Sequence, residues 1–152
     1  MTRSNRRKLT YQVLAAAALL LAGAPPLPAQ AGFQLVVNAG NALTEITADD
    51  ASKIFLKQRA EFPNGLPAAP VDQNESAPVR TVFSQAVLGR TTTAVEAYWQ
   101  RQIFSGRAVP PVAKASDDEV LDFVRGNLNA IGYVRAGTSV GSGVRVIRLR
   151  AR

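Results

Sequence analysis

The stretch PVDQNESAPVRTVF, Pro70 to Phe83, decides how the chain is read. It opens as an apolar strand ending at Val71, passes through a polar turn, and enters a helix near Ser76 with Pro78 in the first turn, where a missing backbone N–H costs nothing. Val79, Val82, Phe83, Ala86 and Val87 recur at helical spacing, which predicts one buried face. The amino end of such a helix directs unpaired N–H groups and the positive end of its dipole beyond the strand, so it suits an anion.

Upstream, Phe33 to Asn38 (FQLVVN) reads as a buried first strand. Thr47 with Asp50 three positions on resembles a capping box with the shorter acid, and Ala51, Ile54 and Phe55 form the inward face of the helix it starts. Lys57 to Gly65 carries a Pro-Asn-Gly turn, and Leu66 to Asp72 is Pro-rich and extended.

Downstream, the central helix runs to Leu88 and stops at Gly89. A second helix starts at Thr91 to Thr93, carries Val95, Tyr98, Trp99 and Ile103 on one face, and ends near Ser105-Gly106. That spacing makes Tyr98 and Trp99 core residues with hydrogen-bonded polar atoms rather than a stacking platform. Arg107 to Lys114, with Pro110-Pro111, is an extended connector. Ser116 and Glu119 make a capping box ahead of Val120, Leu121, Phe123 and Val124, and Gly126 ends that helix. Ile131 to Val134 is a buried strand in which Gly132 leaves room for a close neighbour. Val144 to Leu149 is a final strand whose Arg145 and Arg148 face opposite ways, as expected at a sheet edge. Strands alternating with helices give an α/β class: a small, mostly parallel or mixed sheet covered by helices.

The first 31 residues stand apart. Arg3, Arg6, Arg7 and Lys8 precede an Ala/Leu-rich run from Val13 to Leu21, and Ala29 and Ala31 occupy small-residue exit positions. This reads as a secretory signal over residues 1–31, cleaved after Ala31, with residues 32–152 as one exported, periplasmic domain; the apolar run is shorter than the roughly 20 residues that span a bilayer. The whole chain carries a net +7. Removing the signal with its four cations leaves 14 basic against 11 acidic groups, a net +3. Four arginines (Arg145, Arg148, Arg150, Arg152) fall in the last eight residues and read as a solvated tail, so the basic pI does not indicate nucleic acid.

The chain has no cysteine and no histidine, which excludes thiol nucleophiles, Ser-His triads, disulfides and the common zinc sites. Asp117, Asp118, Glu119 and Asp122 are placed as helix-start acids that favour the dipole. No Walker or dinucleotide motif is present, so the reading is non-enzymatic, without cofactor or metal. The candidate ligand site is the turn before the central helix: backbone N–H groups about Ser76 and Ala77, the Ser76 hydroxyl, and Arg80 one turn on as charge partner. The simpler alternative is that Ser76 only caps its helix. Asp72 and Glu75, beside the turn, oppose phosphate.

IFLKQ (Ile54 to Gln58), FPNG (Phe62 to Gly65), PVDQNESAPVRTVF, VLG (Val87 to Gly89), AYW (Ala97 to Trp99), FSG (Phe104 to Gly106) and AIGYV (Ala130 to Val134) form an ordered series. The series resembles the phosphate-binding proteins of ABC transporters, and more closely their short, single-lobe, PBP-like members. The resemblance implies a type 2 periplasmic-binding-protein lobe, which in longer relatives faces a second lobe across a ligand cleft. Those relatives hold phosphate at an Arg-x-Asp-Gly-Ser-Gly-Thr turn. Here Asp72 to Pro78 matches that turn: Ser76 falls at the motif's Ser, Asp72 takes the place of the Arg, and Ala77 and Pro78 replace Gly-Thr. The implied roles are capture of phosphate or another small anion with delivery to a membrane transporter, or, after loss of the ligand, a non-catalytic module that binds an envelope protein. A single lobe has one wall of a cleft, so a homodimer or a partner protein would supply the other.

Overall fold

The computed structural model describes residues 32–151; residues 1–31, read above as a secretory signal, and Arg152 lie outside the described residues. The elements in chain order are β1 (Phe33–Asn38), β2 (Glu45–Thr47), α1 (Ala48–Phe55), β3 (Ala69–Gln73), α2 (Pro78–Phe83) continued by a π-helical turn (Ser84–Leu88), α3 (Thr92–Phe104), β4 (Val112–Lys114), α4 (Asp117–Gly126), β5 (Ala130–Arg135) and β6 (Val144–Arg150). They build an α/β fold around a six-stranded sheet of order β2-β6-β1-β5-β3-β4. β2 runs parallel to β6, and β3 parallel to both β4 and β5, while β1 lies antiparallel between β5 and β6. Every strand except β1 therefore points the same way, which brings the carboxyl ends Thr47, Gln73, Lys114 and Arg135 and the starts of α1, α2 and α4 to one edge.

The two sheet faces are covered unequally. On one, Phe33, Leu35, Val37, Ile131, Tyr133 and Ile147 pack against Ala51, Ile54 and Phe55 of α1, Val79 and Phe83 of α2, Val87 and Leu88 of the π turn, and Val95 and Trp99 of α3. On the other, α4 alone lays Val120, Leu121 and Val124 on Val36, Val71, Val134 and Val144. Gly132 permits that approach: a Cβ there would lie 2.7 Å from Val71 Cγ1 and 2.8 Å from Val120 Cγ1. Caps start the helices as their sequences require. The Asp50 N–H donates to Thr47 Oγ1 (3.1 Å) and the Glu119 N–H to Ser116 Oγ (3.2 Å). Glu119 reaches back to the Ala115 N–H (3.0 Å), whereas the shorter Asp50 accepts from the Thr47 hydroxyl instead (2.9 Å).

The structure departs from the sequence reading at five places. The central helix opens at Pro78, with Ala77 as an N-cap that offers no side-chain bond, so Ser76 neither starts nor caps it. Its last turn is π-helical: the Gly89 N–H reaches back five residues to Ser84 O before Gly89 turns left-handed at φ 63°. The wider turn rotates the buried face, so Ser84, Val87 and Leu88 are buried and Ala86 is exposed. Ile103, expected in the α3 core face, is 51% exposed, because α3 buries only Val95 and Trp99 and its last turn buries no residue. Two three-residue strands are additional: β2 falls just ahead of α1, where no element was expected, and β4 lies within the expected extended connector. β6 is interior, not an edge, because β2 pairs with its outer side. Its arginines are correspondingly held rather than a tail: Arg145 donates to Asn41 O and to Leu43 O (3.0 Å), and Arg148 and Arg150 pair with Glu45 at 3.5 and 3.0 Å.

Candidate functional site

In open α/β sheets ligands settle beyond the carboxyl ends of the strands, where loops and helix starts converge. That edge here holds a solvent-open depression of about 410 Å³ lined by Asn74, Glu75, Ser76, Arg80 and Ala113. β3 delivers the turn and β4 forms one side, tied to it by the Asn74 N–H donating to Lys114 O (2.9 Å). The turn closes on itself, with the Ala77 N–H donating to Asn74 O (3.0 Å) and the Arg80 N–H to Ala77 O (2.9 Å). Of the three residues singled out from sequence, Ser76 and Arg80 line the depression together, Ser76 exposed at its rim. Ala77 is adjacent, and its amide is spent inside the turn.

Arg80 is only 6% exposed. One terminal nitrogen donates to Gln73 O (3.1 Å) and the other lies 3.3 Å from Asp72 Oδ2, while Nε is buried without a partner. Asp72 thus occupies the expected place of a cation yet positions one supplied from the next helical turn. Its other oxygen accepts from the Tyr133 hydroxyl and from the Gln73 N–H (2.8 Å). Burial, then the charge of Asp72, pushes the Tyr133 phenol well above its ordinary range, so it remains a donor.

Behind the depression, this arrangement continues into a buried network that the sequence did not reveal. The Gln73 side-chain amide donates to Asp117 Oδ1 (2.8 Å) and to Tyr133 O (3.0 Å), binding β3, β5 and the first turn of α4. Asp117 also accepts from Arg135 Nε (2.7 Å) and the Thr138 hydroxyl (3.1 Å). Burial alone would raise its carboxyl pKa, but the bonds from Arg135, Gln73 and Thr138 outweigh it and leave the group below the usual carboxylate value. Asp117 is therefore more than a dipole-favoured helix-start acid; it is the buried knot between α4 and β5. The one available signal was its place as the first residue after the Ser116 cap, which directs it toward the strand ends.

Chemically, the site can offer a buried guanidinium, the Ser76 hydroxyl and the Asn74 amide, balanced by the carboxylates of Asp72 and Glu75. Among the described residues no group of three or more His, Cys, Asp or Glu could hold a metal ion, and no helix is long and apolar enough to cross a membrane.

Comparison with solved structures gives the same fold in longer proteins. An ABC-type phosphate transport receptor from Vibrio cholerae aligns at TM-score 0.56 and 20% identity, over 78% of this chain and 46% of that one. A phosphate ABC transporter substrate-binding protein with bound phosphate from Clostridium perfringens aligns at 0.60 and 17%, over 78% and 44%. PstS from Borrelia burgdorferi aligns at 0.60 and 12%, over 78% and 47%. The chain thus spans less than half the length of these proteins, and at such identities the likeness is one of fold. No family model and no curated protein sequence matches the chain.

Proposed function

We propose that residues 1–31 direct export and that residues 32–152 act in the periplasm as a non-catalytic, solute-binding-type lobe. Its ligand is phosphate or another small anion, held at the depression by the Ser76 hydroxyl and Arg80, with Ala77 shaping the turn, and passed to a membrane transporter. The observation that carries this reading is Arg80: a guanidinium buried at the carboxyl edge of the sheet, in the lining of an open depression, with Nε unpartnered. The fold neighbours, a phosphate transport receptor and a phosphate ABC transporter substrate-binding protein, agree with it.

The second reading, an envelope-protein interaction module that has lost its ligand, draws on one specific feature. The Asp72 carboxylate 3.3 Å from Arg80 already neutralises it, and Glu75 adds a further negative charge to the lining. The melting temperature against phosphate, sulfate and chloride at equal ionic strength separates the two. Saturation at a hundred times the dissociation constant adds about 2.7 kcal/mol, a shift of several degrees for a domain of this size. A phosphate-specific rise that Ser76→Ala diminishes supports the anion site; a shift shared by all three salts, or none, leaves the interaction module.

A further inference from the structure

Of the seven large apolar side chains exposed among the described residues, four fall in one stretch, while Leu66, Leu128 and Val146 are scattered elsewhere. Ile103 is 51%, Phe104 90%, Val109 61% and Val112 56% exposed, all within the end of α3, the connector and the start of β4. Phe104 is almost entirely in solvent, and Ile103 before it and Ser105 to Arg107 after it are exposed as well, so the end of α3 forms an exposed tip. Along the segment itself the charges are of one sign, and the Glu119 carboxylate of α4 reaches it only at the Ala115 N–H, beside Lys114. From Ala97 to Ser116 there is no Asp or Glu, while Arg101, Arg107 and Lys114 are present. Among the described residues neither Arg101 nor Arg107 forms an ion pair.

We infer that this tip docks on an anionic lipid surface, with Phe104 and Ile103 entering the headgroup boundary and Arg101 and Arg107 remaining among the lipid phosphates. Apolar side chains that project without a surrounding concavity suit a yielding interface, and arginines beside them reach the headgroup layer while their stems stay apolar. A second copy of the chain is a poor occupant, since it would set these three cations against their own duplicates. Arg101, Ile103, Phe104 and Arg107 lie outside the lining of the depression, which β4 reaches through Ala113, so the inference does not depend on what the depression binds.

The chain has no cysteine, so Ser105→Cys gives a unique site for an environment-sensitive fluorophore, and Ser139→Cys, on an exposed loop, gives a control. The full chain is mixed with vesicles of phosphatidylglycerol and phosphatidylcholine, and with vesicles of phosphatidylcholine alone. The expected result is a blue shift at position 105, none at 139, only with the anionic vesicles, and weakened by salt. Phe104→Ser should lower the apparent affinity about tenfold, and Arg101→Gln or Arg107→Gln about fivefold each. All three residues are exposed, and unchanged circular dichroism verifies the fold. No shift at 105, an equal shift at 139, equal binding to both vesicle types, or insensitivity to Phe104→Ser overturns the inference. A response at 105 to soluble poly-glutamate with none to vesicles also overturns it, in favour of an acidic protein partner.

Discussion

The α1/α2/α3 face of the sheet and its carboxyl edge are both closely packed, but they are held by opposite means and meet at one residue. On the face, Phe83 stacks on Tyr133 with ring centroids 3.8 Å apart, and Phe55 and Phe33 approach it edge-on at 4.7 and 5.5 Å. At the edge, the buried Gln73, Arg80 and Asp117 and the half-buried Asp72 are joined by directed bonds, and the exposed Arg135 closes on Asp117 from outside. Tyr133 gives its ring to the first region and its hydroxyl to the second. Apolar packing tolerates small changes of shape, whereas a buried polar network penalises any member left without its partner. The face should therefore set how stable the domain is, and the edge should set how strictly the turn of the candidate site is held.

Truncating the ring at the centre should cost most. Phe83→Ala removes three aromatic contacts and is expected to lose about 4 kcal/mol in denaturant unfolding, while leaving the acid dependence of stability unaltered. A loss under about 1 kcal/mol would mean that the face is not the main source of stability.

Asp117→Asn should come next, at about 2–3 kcal/mol near neutral pH, because the carboxylate partners of Gln73, Arg135 and Thr138 are replaced by a neutral amide. Its folded pKa lies below the ordinary value of 3.8, so its charged bonds contribute fully above that value and are lost as the pH falls through the folded pKa. Unfolding curves collected on acidification should be steeper for the native chain than for the variant. Equal slopes would remove Asp117 from the account of the edge.

Tyr133→Phe is the smallest of the three and the sharpest. It keeps the ring on Phe83 and deletes only the hydroxyl on Asp72, so about 1–2 kcal/mol is expected, with faster amide exchange at Gln73. If exchange instead rises across α1 and α3, the two regions are one cooperative unit and the contrast between them fails.

The apolar packing on both sheet faces was legible in the sequence because burial leaves a period: Ala51, Ile54 and Phe55, and Val95 and Trp99, on one face, and Val120 and Val124 on the other, recur at helical spacing. Legibility failed where tertiary pairing overrides local pattern. The three-residue β2 and β4 exist because β6 and β3 offer them partners, and the interior position of β6 follows from β2 rather than from its own arginines. The π turn was hidden because its effect is a one-residue slip, which exchanges Ala86 for Leu88 at the core. The edge was the hardest to read. The turn, Asp72 and Arg80 stood out, but Gln73, Asp117 and Tyr133 lie far apart in the chain and show no spacing, because a buried hydrogen-bond network obeys no sequence period.

The reversed strand β1 also governs the order of events in folding. Both of its neighbours come from the far end of the described chain, with Phe33 opposite Arg135 and Leu35 opposite Ile147. The centre of the sheet therefore stays vacant while the chain is delivered amino end first, and an early apolar segment waits unpaired for strands that arrive last. Contacts of such long range are reached slowly, so this domain should fold on the slow side for its size and lean on holding chaperones until residue 150 has emerged.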